Sequence, residues 1–461
     1  MNKLLLVGKC VTAFFTFFHL SELFASDASE LAGQQLVVSK ASVDKLYILI
    51  CAGMVFIMQA GFKCFEVGVV RSKNSTATGM KNIIDWVVCS LIFFFLGFGF
   101  MFGDSAHGLI GTNLFFLKNL PESGLGSVFF MYQLAFAGTA LTIVSGAMSE
   151  RTGFIPYLCG SFFIALFIYP LFGHWAWGSL FLEDNKPWLA SLGFVDFAGS
   201  TVVHSIGAWV ALVGVWFVGP RLGRYDADGN LRQFESHSYA YSILGVMLLW
   251  FGWWGFNGGS VLALNDSVGP IIVNTNLAAA ASGLTAFFHC LFFQKRDNIN
   301  DKLLGGVLGG LVAITACCSV VNHLGAVLVG MLAGVVHNLS YDLLAKTLKL
   351  DDPVGAIPVH GFCGAFGTIS VALFGQDELL PNPRMTQLGV QALGVLVAFV
   401  WASLSALIMY KVLQVVVGMR VSPAEEQAGL DIIGGFDPNQ ESGEEQSSGP
   451  SEEELRKIMG L

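Results

Sequence analysis

The chain has 461 residues, 12% of them charged and 54% hydrophobic, and 24 Lys and Arg against 33 Asp and Glu leave a net charge of −9. Soluble domains carry about twice that share of charge, so the roughly three soluble domains that length alone allows give way to one polytopic membrane bundle. No basic patch is present, which excludes a nucleic-acid binder.

In chain order, residues 1–25 read as a secretory signal peptide: Lys3, an apolar stretch from Leu4 to Phe24, then small Ala25 and Ser26. Lys9 and His19 interrupt that stretch, so an uncleaved N-terminal anchor is the alternative. Eleven later segments reach the ~20 mostly apolar residues of a spanning helix. They fall near 45–70, 79–103, 127–149, 153–175, 197–219, 239–259, 270–294, 303–321, 325–347, 354–375 and 386–416. The transmembrane domain is thus 42–416, followed by a tail over 417–461. In the tail Glu441, Glu444, Glu445, Glu452, Glu453 and Glu454 form an acidic run that reads as solvated and partly disordered.

Loop charge alternates. Arg71, Lys73, Lys81, Arg151, Arg221, Arg224, Arg232, Lys295, Arg296, Lys302, Lys346, Lys349 and Arg420 belong to one set, whereas the other has little beyond Lys118, Lys186 and Arg384. The positive-inside rule makes the first set cytoplasmic, with the N-terminus outside and the C-terminus inside. Residues 304–312 and the pair Gly330 and Gly334 read as close helix contacts. The nine cysteines are mostly within apolar segments and read as small buried hydrophobes. Neither CxxC nor HExxH occurs, so no metal, cofactor or intramembrane enzyme is expected.

Two segments share a pattern that composition does not demand. Asp196 precedes His204 by eight residues and Asp352 precedes His360 by eight, each through a Val-His pair and into apolar, Gly-containing helix. Aspartate suits a helix N-cap, and Pro353 suits the first helical position. The two helices enter from opposite faces, and eight residues of helix rise ~12 Å in a hydrocarbon core ~30 Å thick. Both histidines then lie near mid-depth, as in an inverted repeat of five-helix units. His289 and His337 read as snorkelling near helix ends, and His107, His237 and His323 as loop residues. A naked cation meets a large desolvation cost in so apolar a path. A small neutral molecule that donates and accepts hydrogen bonds does not, and ammonia fits. Histidine suits its passage because its ordinary pKa of ~6.5 keeps both protonation states within reach.

The residues resemble the ammonium transporter (Amt/Rhesus) family. The resemblance rests on Gly68-Val-Val-Arg-Ser-Lys-Asn74, Gly146-Ala-Met-Ser-Glu-Arg151, His174-Trp-Ala-Trp-Gly178, Asp196-Phe-Ala-Gly with Val-Val-His204, Gly252-Trp-Trp-Gly-Phe-Asn-Gly-Gly-Ser260, and Asp351-Asp-Pro with Val-His-Gly-Phe-Cys-Gly364. It covers residues 45 to 431. It implies an all-α fold of eleven spans with inverted five-helix repeats, N-out and C-in, assembled as a homotrimer with one pore per subunit in the inner membrane. It also implies an outer ammonium site at Tyr132, Phe136, Trp177 and Ser260, where aromatic faces attract a cation and a hydroxyl accepts one N–H. A pore gate of Phe136 and Phe256 and a pore lining of His204 and His360 follow. Asp196 corresponds to a family aspartate that contacts the cation, relays a proton or caps the helix.

Glu150 and Arg151 read as a structural pair, and Asp85 as bonded to neighbouring backbone. The sequence departs from the family at Lys63, which with Glu66 reads as an ion pair at three-residue helical spacing. The tail follows the family to Asp431 and then diverges into Ile432-Ile-Gly-Gly-Phe436, which bears on whether a PII-type regulatory protein docks there. A second reading is an ammonium sensor signalling through a partner.

Overall fold

The computed structural model describes residues 39–120 and 124–435. The expected signal peptide and the acidic run of the tail lie outside them. The chain divides into two compact units, Met1–Asp44 and Lys45–Leu461. Within the first, Lys40 Nζ pairs with Asp44 Oδ2 at 2.8 Å. The bundle and its site belong to the second.

Among the described residues, eleven helices are long and apolar enough to cross a membrane. They are α1 (Lys40–Val69), α2 (Ser72–Phe102), α3 (Leu125–Ala147), α4 (Phe154–Trp177), α5 (Ser200–Val218), α6 (Tyr239–Gly259), α7 (Val268–Phe293), α8 (Ile299–Cys317), α9 (His323–Thr347), α10 (Ile357–Phe374) and α11 (Arg384–Val416). Two short helices follow, α12 (Pro423–Ala428) and α13 (Leu430–Ile433). A small hairpin pairs β1 (Ser105–Ala106) with β2 (Ile110–Gly111). The helices differ in depth: 83% of the apolar window of α3 and 78% of those of α5 and α8 are buried, against 28% for α11. A helix that is apolar all round is buried in protein or faces lipid, so α3, α5 and α8 form the centre and α11 the rim.

The glycine pattern of α7 to α9 is a packing device. A β-carbon on Gly330 would stand 2.3 Å from the Ala278 carbonyl oxygen, and one on Gly334 2.4 Å from that of Ser282. Backbone meets backbone there, as small-residue interfaces allow.

The two histidine helices begin alike. Residues Ser200–Ser205 of α5 and Ile357–Phe362 of α10 are wound as π-helix, a rare winding that clusters at functional sites. Ahead of each, an aspartate receives the first free N–H groups: Asp196 Oδ2 accepts from Thr201 N and Val202 N, both at 2.8 Å, and Asp352 Oδ2 from Ile357 N at 2.7 Å. Pro353 is not the first helical residue, contrary to expectation. The helix starts at Ile357, and the proline inside its first turn is Pro358, because Asp352 reaches five residues ahead.

The ends of several spans are tied by buried charge. Arg221 holds Asp351 with Nε at 2.7 Å from Oδ2 and Nη2 at 2.9 Å from Oδ1, and Arg224 Nε is 3.1 Å from Oδ1. Glu150 pairs with Arg71 and Arg221. Arg151 instead donates to the carbonyls of Asp351, Gly219, Ala147 and Ser149. Glu150 and Arg151 therefore do not pair with each other: Glu150 meets the guanidiniums of Arg71 and Arg221, whereas Arg151 meets backbone carbonyls. Burial pushes the Asp351 carboxyl up, but Arg221, Arg151 and Arg224 together outweigh it and hold the group well below the usual carboxylate range. Burial of Glu150 is likewise overcome by Arg221 and Arg71. The described part of the tail docks on this layer, where Asp431 accepts from Thr76 N and Ala77 N in the first turn of α2 and Ser422 with Glu425 forms a capping box.

Candidate functional site

Six rings stand in sequence through the bundle. Tyr132 and Phe136 are one turn apart on α3, with centroids 4.7 Å apart. Phe136 stacks on Phe256 of α6 at 3.9 Å and 17°. Phe256 stacks on His204 at 5.4 Å, His204 on His360 at 5.1 Å, and His360 lies 5.9 Å from Phe62 of α1. Trp177, at the end of α4, is edge-on to Phe136 at 6.1 Å. Ser260 Oγ is 3.2 Å from Tyr132 Oη, which also donates to the Phe256 carbonyl at 2.7 Å. All the residues expected at the outer site and the gate thus converge on one end of the column.

Backbone geometry holds the mouth. The Trp177 indole donates to the Asp196 carbonyl at 2.7 Å. Gly199, at φ +113°, faces Trp177 Cη2, which a β-carbon would meet at 3.0 Å. Only glycine both takes that left-handed backbone at low cost and leaves the indole its place. Residues 197 and 198 pair with the end of α8 through Phe197 N to Ala316 O and Ala198 N to Thr315 O, which satisfies polar backbone where the chain is not helical. Burial pushes the Asp196 carboxyl up to about 6 against the N–H groups of Val202, Thr201 and Gly199. The side chain caps the helix; its carboxyl faces backbone donors rather than a cationic side chain.

At the centre, His204 Nδ1 and His360 Nδ1 are 3.1 Å apart. One ring must donate in that contact, and a neutral partner then bears its proton on Nε2. The pair therefore offers one bare Nε2 acceptor and one Nε2–H donor. The His204 Nε2 is buried and has no hydrogen-bond partner among the described residues. Close helix approach makes the contact: Thr201 Oγ1 and Thr368 Oγ1 are 2.5 Å apart, and a β-carbon on Gly364 would stand 2.4 Å from the Ser200 carbonyl oxygen.

Sequence reasoning missed two rings. Trp253 stacks on His204 at 5.0 Å and 18° and is fixed by its indole bond to Thr315 Oγ1 at 2.8 Å. Its position inside the Gly252–Ser260 motif was the available signal. Phe62 had none.

Other expectations need correction. The Lys63 side chain is exposed and Glu66 is buried, and the described ion pairs do not include one between them. Glu66 Oε2 instead accepts from Asn82 Nδ2 at 3.0 Å and Ser145 Oγ at 3.2 Å. Asp85 is bonded by side chains rather than backbone: Tyr157 Oη at 2.6 Å and Ser161 Oγ at 2.8 Å. His337 is buried against Gly305 with Nδ1 3.1 Å from Asn338 Oδ1, so it does not snorkel. His323 opens α9 rather than lying in a loop, and its Nδ1 is 2.7 Å from Asn274 Oδ1.

The sequence profile of the Ammonium Transporter Family matches residues 46–435. A putative ammonium transporter of Synechocystis is 43% identical over 399 residues, covering 85% of this chain and 73% of the relative. The ammonium transporter Amt2 of Archaeoglobus fulgidus is 41% identical, covering 85% and 86%. Among solved structures, a protein described as a sensor Amt protein superposes with a TM-score of 0.83 at 45% identity, covering 86% of this chain and 98% of that one. Mep2 of Saccharomyces cerevisiae gives 0.74 at 26% identity, covering 82% and 87%.

Proposed function

The chain belongs to the ammonium transporter family, and from that premise we propose that it recruits ammonium at an outer aromatic site, where the ion gives one proton to water at the outer mouth, and conducts ammonia past the two histidines. The observation that carries this reading is the Nδ1 contact of His204 with His360 at 3.1 Å, in line with the stacked Phe136 and Phe256. Ammonium rests against the Tyr132, Phe136 and Trp177 rings, with Ser260 Oγ accepting one N–H; such ring faces hold a desolvated cation by about 2 kcal/mol. Phe136 and Phe256 swing apart to admit the substrate, since rings in contact leave no passage between them. Ammonia then gives an N–H to the bare imidazole nitrogen and accepts from the Nε2–H, which replaces the hydrogen bonds it had in water.

In this reading the protein sits in the cell (inner) membrane with its N-terminus outside and its C-terminus in the cytoplasm, as the loop charge supports. It assembles as a homotrimer, with a PII-type protein as candidate partner on the cytoplasmic face. Full-length protein in liposomes, given an ammonium pulse while current and internal pH are recorded, tests the proposal. Ammonium-dependent flux that falls on His360→Ala supports it, and no flux from wild type refutes it.

The likeness to the sensor Amt protein at 45% identity favours a second reading, in which the same outer site reports ammonium to a partner. Ammonium binding with no flux would select it.

A further inference from the structure

Beyond His360 the column does not end in bulk solvent. It opens into a narrow cavity lined by Phe62, Glu66, Ile143, Val354, Val359 and His360, with about 10 Å³ open to the centre of a water-sized molecule. That is room for one small molecule. The cavity lies on the far side of the histidines from the gate: along α3 the chain passes Tyr132 and Phe136, then Ile143, and Ser145 lies nine residues, or ~14 Å, beyond Phe136. Glu66, 2% exposed, stands at this inner end.

The surroundings of Glu66 are those of a group that exchanges its charge. Both hydrogen bonds to Oε2 come from neutral donors, Asn82 Nδ2 and Ser145 Oγ. Among the described residues Oε1 accepts none, and Gly146 makes its room, since a β-carbon there would stand 3.0 Å from Oε1. The ionisable neighbours are engaged elsewhere. Lys81 of α2 donates to the Thr152 carbonyl at 2.8 Å, Asp85 of α2 is held by Tyr157 and Ser161, His360 of α10 is paired with His204, and Lys63 of α1 is exposed. Lys81 lies within electrostatic reach of Glu66 but bonds a backbone carbonyl rather than the carboxyl, and a buried carboxyl with no cation bonded to it takes up a proton or a passing cation.

Resting on the transport reading, we propose that Glu66 is the proton donor that turns ammonia leaving His360 back into ammonium. The Glu66 O–H bond breaks, the nitrogen lone pair takes the proton to form the fourth N–H bond, and a carboxylate facing an ammonium ion remains. The ion leaves to the cytoplasm, and a proton from cytoplasmic water restores the acid. Net charge is conserved at each step.

Full-length protein in liposomes tests this with Glu66→Gln, which keeps an acceptor for Asn82 and Ser145 but has no acid proton. Wild-type influx should depend on internal pH, Glu66→Gln should conduct at least ten-fold more slowly without that dependence, and Glu66→Asp should restore the pH profile. Wild-type rate and profile in Glu66→Gln would overturn the inference and leave the transport reading standing. A silent wild type would end both. Should Glu66→Gln fail to assemble, infrared difference spectra of wild type and Glu66→Asp decide. A carboxyl band that changes on ammonium addition and moves in Glu66→Asp supports the donor, and no such band refutes it.

Discussion

His204 and His360, 156 positions apart in the chain, meet through their Nδ1 atoms at 3.1 Å with ring planes 21° from parallel. Each comes from the π-wound start of its own helix, and each helix is preceded by an aspartate that gathers its free N–H groups. In the proposed mechanism, replacing either imidazole removes the donor and acceptor that a dehydrated ammonia needs. His204→Ala and His360→Ala should each lower ammonium flux at least ten-fold or abolish selectivity against other cations, while the protein still assembles. Liposome flux with competing cations measures this, and unchanged selective flux would count against a pore role.

The outer site predicts a change in affinity rather than in conduction. Trp177→Leu removes a ring face and Ser260→Leu an acceptor, each worth about 1 to 2 kcal/mol. The apparent affinity for ammonium should weaken roughly 5- to 30-fold, with maximal flux changed much less. Concentration series of the transient current provide the measurement.

In the proposed mechanism Asp196 ties that site to external pH. Its carboxyl is pushed up to about 6 by burial, so the folded protein holds the proton more tightly than the unfolded chain. The stabilising contribution is full below the ordinary carboxylate value and declines as pH rises through about 6. The negative charge that favours a nearby cation grows over the same interval. Ammonium affinity should therefore tighten as external pH rises from 5 to 7, and Asp196→Asn, which still caps the helix, should flatten the curve.

The arginine layer behaves in the opposite sense. Asp351 is held far below the usual carboxylate range, chiefly by Arg221 against the effect of burial. Its stabilisation is present above the ordinary value of ~3.9 and is lost only as pH falls through the lowered one. Asp351→Asn should cost about 3 to 5 kcal/mol by removing the buried carboxylate that Arg221 and Arg224 share, which leaves Arg221 only Glu150. Thermal unfolding in detergent should show the same loss at pH 6 and pH 8.

Gly364→Ala tests the approach of α5 to α10. A methyl group 2.4 Å from the Ser200 carbonyl oxygen must push the helices apart, at about 1 to 3 kcal/mol. Flux should fall although both histidines remain. Unaltered flux would mean that the pair tolerates a wider spacing.

The spans were legible in the sequence because each is a local property: an apolar stretch long enough for a hydrocarbon core of given thickness. The eleven segments expected between residues 45 and 416 correspond to α1 through α11. The Asp-to-His spacing was equally visible, since both helices repeat it within nine residues. What one helix presents to another was not local. Lys63 and Glu66 are helical neighbours, yet α1 turns the lysine outward and the carboxyl inward to Asn82 and Ser145. Glu150 and Arg151 are adjacent, yet one meets the guanidiniums of Arg71 and Arg221 and the other backbone carbonyls. Chain order sets which residues share a helix and how deep they lie. Only the packing of distant helices decided which polar group each buried charge would meet, because a charge excluded from water binds the nearest donor or acceptor in space, whatever its distance along the chain.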